Sequence, residues 1–139
     1  MARYFFLFDI DETLVVGNPS GPISPLLLVQ LGQKGHVVGV VACRYYVAIS
    51  PISGQPRYIH RSETKVIGQL LGDAIPYYVD CDIDSLSDVL ISLRLKEKCD
   101  DYFFISATMA KLRKAIESGW KPLHPNAAQL AIEKIIGKL

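Results

Sequence analysis

Four short stretches of the chain, residues 3–8 (RYFFLF), 36–44 (HVVGVVACR), 74–79 (AIPYYV) and 101–106 (DYFFIS), are almost wholly apolar and of strand length. Strands with one wet face alternate apolar and polar residues; unbroken runs belong to strands buried on both faces, the signature of a parallel sheet covered by helices. Between them lie segments of helical character. PLLLVQLGQKG, from about Pro25, stops at Gly32 and Gly35; SETKVIGQLLG follows a Ser62 cap and ends at Gly72; Ser85 caps a helix over 86–98. ATMAKLRKAIESG is a further helix, and NAAQLAIEKIIGKL a terminal amphipathic one starting at Asn126. Strands alternating with helices imply right-handed crossovers and a doubly wound, Rossmann-like α/β sheet with helices on both faces.

VVGNPSGPISP, rich in Gly, Pro, Ser and Asn, reads as a loop that delays the first helix, and WKPLHP as a second loop. The tract 45–61 holds two prolines and the runs YYVAI and RYIH, and reads either as a hairpin or as a helix followed by an edge strand. With 139 residues, half of them hydrophobic, the chain is expected to form one domain spanning 1–139 with an ample core.

A formal charge of +1 without blocks of either sign gives no strong nucleic-acid signal, and no apolar run approaches the roughly 20 residues of a membrane helix. Cys43, Cys81 and Cys99 lack a CxxC pair and lie in or near apolar segments, so buried thiols in a cytoplasmic, reducing setting are expected, with no disulfide and no zinc site. His36, His60 and His124 show no partner pattern and read as structural or solvated, and Trp120 as a packing residue.

Two of the apolar runs end in acids: Asp9, Asp11 and Glu12 in DIDET, and Asp80, Asp82 and Asp84 in DCDID. Ligands of an open parallel sheet bind beyond the carboxyl ends of its strands. Two carboxylates held there at the end of buried runs need a cation between them, and magnesium is the natural one: it takes hard oxygens, keeps waters, and leaves room for a phosphate. Asp11, Thr13 and Asp84 add oxygen donors at short spacing. Either exit alone is as well explained by turn formation or helix capping.

DIDET after a hydrophobic strand resembles the first motif of the haloacid dehalogenase-like hydrolases, Asp-x-Asp-x-Thr, and DIDETLV is similar to the small-cap phosphatases among them. YYVDCDID resembles their fourth motif, with the spacing from Asp80 to Asp84 matching a common variant, and Lys65 falls where the third-motif lysine stands. The resemblance implies a magnesium-dependent phosphatase. Asp9 would be the nucleophile that becomes an aspartyl-phosphate, Asp11 the general acid and base, and Lys65 the partner of the phosphoryl charge. Asp9, Asp11 and Asp80 would hold the metal, with Asp84 on its waters or on Lys65.

The second motif of that family ends its strand in Ser or Thr, and here Ala42 stands instead, followed by Cys43 and Arg44. A lost hydroxyl donor aimed at a transition-state oxygen costs about 3 kcal/mol. Arg44 is a candidate substitute, since a guanidinium fork matches phosphate, and a solvated strand-end arginine is the alternative. Thr13 is a further candidate phosphate contact. The short intervals leave no room for a large cap, which implies an open site for a bulky phosphorylated substrate or cover by self-association. A degenerate member binding a phosphorylated ligand or partner without turnover is the second reading, and a receiver-like phosphoacceptor domain a third.

Overall fold

The structure, a computed structural model, describes residues 2–44, 46–49, 56–58 and 75–137, with the backbone alone at 44, 46–49 and 56–58. The expected helix over 62–72 and Lys65 lie outside the described residues. The chain opens with β1 (Tyr4–Asp9), α1 (Pro25–Gln33) and β2 (Val37–Arg44), then β3 (Tyr46–Ile49) and β4 (Pro56–Tyr58). It continues through β5 (Tyr77–Asp82), α2 (Leu86–Lys96), β6 (Asp101–Ile105), α3 (Met109–Glu117), β7 (Lys121–Leu123) and α4 (Pro125–Ile136).

Among the described residues five strands form one sheet in the order β5-β2-β1-β6-β7, every neighbouring pair parallel. The doubly wound α/β architecture follows, because each strand of this sheet is unable to reach its parallel neighbour without a crossover. The four apolar runs supply β2, β1, β6 and β5, and the three phenylalanines of β1 are fully buried. Alternation along each strand sorts the core into two layers. Phe6, Phe8, Val38, Val40 and Ala42 meet Leu27, Leu28 and Leu31 of α1 and Ala128 and Ile132 of α4. Phe5, Leu7, Val41, Cys43 and Cys81 meet Leu86, Leu90 and Leu93 of α2 and Leu112 and Ala115 of α3. Trp120 packs in the second layer, its indole donating to the Leu90 carbonyl at 3.0 Å.

Local readings differ from the structure at several ends. Ser24 caps α1 by accepting from the Leu26 amide, but Ser85 does not cap α2: its hydroxyl donates to Asp82 Oδ1 at 3.0 Å within a 3-10 turn over Ile83–Ser85. The side chain of His124, rather than Asn126, caps α4, accepting from the Asn126 amide. Of the tract 45–61 the described residues form β3 and β4, antiparallel in a two-stranded sheet, the pairing that the hairpin alternative expects.

WKPLHP contains a strand where a loop is expected. Leu123 turns its carbonyl to the Ser106 amide, so Pro122, one residue earlier, faces outward, where its missing N–H costs the β6 ladder nothing. No described helix is long and apolar enough to cross a membrane.

Candidate functional site

The chain builds β1, β2 and β5 outward in one direction, then returns to lay β6 on the other side of β1. The crevice beyond the carboxyl ends of β1 and β6 is therefore the topological switch point, the place where open α/β sheets take their ligands. Asp9 is the last residue of β1. On the facing strand exit stand Ser106, immediately after β6, and Lys111, in the first turn of α3.

These three side chains meet. Ser106 donates its hydroxyl to Asp9 Oδ2 at 2.8 Å, and Lys111 Nζ lies 2.9 Å from the same oxygen. Asp9 Oδ1 accepts from the Ile10 amide at 2.9 Å. Asp9 is 1% exposed, Lys111 4% and Ser106 fully buried. Burial pushes the Asp9 carboxyl above its ordinary range, opposed by the Lys111 ammonium and by the hydrogen bonds from Lys111, Ser106 and the Ile10 amide.

Lysine in the first turn of a helix also opposes the helix dipole, whose positive end points outward there. The local preference of α3 is overruled by the carboxylate opposite. The ammonium and the Ser106 hydroxyl converge on one oxygen of Asp9, and the Thr108 amide at the start of α3 donates to that hydroxyl at 3.2 Å.

After Asp9 the chain folds into a tight loop. Glu12 adopts a left-handed φ of 61°, its amide donating to the Pro19 carbonyl at 2.7 Å, and Asn18 donates its amide to Asp11 Oδ1 at 2.9 Å. Leu14 and Ile23 form a parallel bridge across the loop. Gly21 is required: a Cβ there would run into the backbone of Glu12 and Thr13. Thr13 is fully buried and its Oγ1 is, among the described residues, a buried polar atom without a hydrogen-bond partner.

The two acidic strand exits are not brought together. β2 lies between β1 and β5, and Asp9 registers with Val41, which registers with Val79. Two strand spacings separate the backbones by about 10 Å. The faces differ as well: Asp9 alternates with Phe5 and Leu7 and points to the α2/α3 layer, whereas Asp80 follows Val79 and precedes Cys81 of that layer and so points to the other. Asp80 and Asp84 are exposed, and Asp84 sits in the 3-10 turn.

The four carboxylates expected around magnesium, Asp9, Asp11, Asp80 and Asp84, thus do not form one donor set. Among the described residues no three His, Cys, Asp or Glu side chains converge as a metal site. Lys111 occupies the position beside Asp9 where a cation was expected.

Ala42 is corrected in its meaning. It faces the α1/α4 layer, away from Asp9, so a hydroxyl at this position would not reach the carboxylate. Ser106 supplies the hydroxyl from β6 instead. Arg44 closes β2, and its side chain lies outside the described residues.

Sequence reasoning missed Ser106 and Lys111. The signal was FFISATMAK, a buried run that ends in hydroxyls followed by a lysine within one helical turn. No protein-family model, no curated protein and no solved structure matches the chain.

Proposed function

We propose that the protein is a phosphoester hydrolase in which Asp9 attacks phosphorus and carries the phosphoryl group as an aspartyl-phosphate. One observation carries the reading: at the switch point a single carboxylate oxygen is shared by a serine hydroxyl and a lysine ammonium. Phosphoryl transfer asks for little covalent chemistry from a protein, mainly an in-line nucleophile and fixed positive charge and donors around the transferring oxygens. Asp9 is the nucleophile. Lys111 and Ser106 hold it in the resting state, and as its oxygen bonds to phosphorus they pass to the phosphoryl oxygens. Asp11, anchored by the Asn18 amide, stands two residues further on and is assigned the proton transfer to the leaving oxygen. Thr13 is assigned to the phosphoryl group. No step runs through a metal ion, since the acids expected to hold magnesium are apart; Lys111 supplies the charge.

A second reading is favoured by the closure of the site. Asp9 is almost wholly buried with both oxygens engaged, an arrangement also suited to a domain that binds a phosphorylated ligand or partner without turnover.

Incubation with a generic aryl phosphate, followed by acid quench and intact mass, separates the two. A phosphate adduct on the wild type that is absent from Asp9→Asn supports the hydrolase. Turnover that survives Asp9→Asn unchanged ends it. A rise in melting temperature with inorganic phosphate, without turnover of any phosphoester, supports the binding module.

A further inference from the structure

Cys43 and Cys81 are direct register partners on the neighbouring parallel strands β2 and β5. Both side chains face the α2/α3 layer, the same face as Asp9. Neighbouring strands place paired Cα atoms about 4.8 Å apart, inside the roughly 4.4–6.8 Å window of disulfides. Both are free thiols, buried in the same layer of the core. Cys43 follows Val41, the register partner of Asp9, by two residues on the same face, so the pair borders the Asp9 corner.

From this juxtaposition we infer that Cys43 and Cys81 form a redox-active dithiol that closes into an intrachain disulfide under a small hydroperoxide. It does not depend on the hydrolase reading. The small oxidant follows from burial: Cys43 is 9% and Cys81 6% exposed, enough for a molecule little larger than water and too little for a bulky disulfide.

In the first step one sulfur, as its thiolate, attacks an oxygen of hydrogen peroxide. The O–O bond breaks, a sulfenic acid forms, and the departing hydroxide takes a proton to become water. The neighbouring thiol then attacks the sulfenic sulfur, the S–O bond breaks, and the thiol proton leaves with the hydroxide as a second water. Two thiols are oxidised by two electrons in total and one peroxide is reduced to two waters. Because the partner cysteine is its register neighbour on the same face of the sheet, the sulfenic acid is captured before further oxidation. The bond formed ties the carboxyl ends of β2 and β5 together beside Asp9.

Of the three cysteines, Cys99 lies outside this pair on the segment between α2 and β6. Folded protein treated with stoichiometric hydrogen peroxide, denatured in an alkylating quench and digested, should yield a peptide pair joined through Cys43 and Cys81. Its titratable thiols should fall from three to one, with the circular dichroism retained and the thiols restored by reduction. Cys99→Ser should form the same bond. In Cys43→Ser and in Cys81→Ser the bond should be missing and the remaining thiol of the pair trapped as its sulfenic acid by dimedone. Linkage through Cys99, linkage between chains, direct passage to sulfinic acid, untouched thiols in the folded protein, or a bond that appears only after unfolding would each overturn the inference.

Discussion

The ammonium of Lys111 and the carboxylate of Asp9 form a 2.9 Å ion pair with both side chains almost wholly removed from water, although 102 residues separate them in sequence. A buried charge that loses its partner is far more costly than a pair replaced as a unit. Lys111→Met should therefore destabilise the fold by about 3–5 kcal/mol, and Asp9→Leu combined with Lys111→Met should recover most of that loss. Urea denaturation of the two single variants and the double variant measures the coupling, and additive losses would mean that the pair is not formed.

What a hydroxyl does at position 106, or would do at position 42, is set by the face each residue occupies. In the hydrolase reading Ser106→Ala, which removes the hydroxyl donor on Asp9 Oδ2, should lower phosphoester turnover by about a hundredfold with little change in substrate affinity. Ala42→Thr should give no gain, because position 42 faces the opposite layer. Steady-state kinetics on both variants checks this, and a large gain from Ala42→Thr would place the reacting group on the other side of the sheet.

Thr13 separates stability from function. An orphaned buried hydroxyl carries a desolvation penalty of about 1–3 kcal/mol, which a methyl in its place does not. Thr13→Val should raise the melting temperature, and in the hydrolase reading it should also slow turnover. Calorimetry paired with kinetics distinguishes the two effects. A fall in melting temperature would show that the hydroxyl is satisfied in solution.

His36 gives the fold a pH signature. Its Nδ1 accepts from the Tyr4 amide at 3.1 Å, and the ring stacks on Tyr4 at 5.5 Å, so the packed form is the neutral imidazole. Burial, with the nearby Lys34 charge, holds its pKa below 6.5. Below 6.5 the unfolded chain therefore takes up the proton first: the stabilisation is complete above that pH and is lost as pH falls towards the lowered folded value. Denaturant melts across this range should slope downward for the wild type, and His36→Gln should flatten the slope.

A magnesium ion at Asp9 Oδ2 would compete there with Lys111. A divalent ion reaching Asp9 has to displace the ammonium from Oδ2, so Lys111→Met should bind magnesium more tightly than the wild type does. Isothermal titration on both proteins tests the competition. Equal or weaker affinity in the variant would place any magnesium away from Asp9.

The strands of the sheet were legible because burial on both faces leaves an unbroken apolar run, as in YFFLF and YFFI. β7 was not, since three residues with a central proline carry no such run and pair only because β6 offers a free edge. The importance of Asp9 was legible from its place after a buried strand. Its neighbours were not. Which strand lies beside β1 depends on where the chain reverses its winding, a tertiary property, so a second acidic exit was expected where the structure puts Ser106 and Lys111. Local signals reported which residues end strands and were silent about which ends meet.

The outward-facing Pro122 of β7 has a bearing on how the molecule behaves in a crowd. A strand arriving at that margin finds a ledge only three residues long whose outward amide is absent, so polymerisation by strand addition has no foothold there. Replacing the proline would reopen that margin without disturbing the ladder on its inner side.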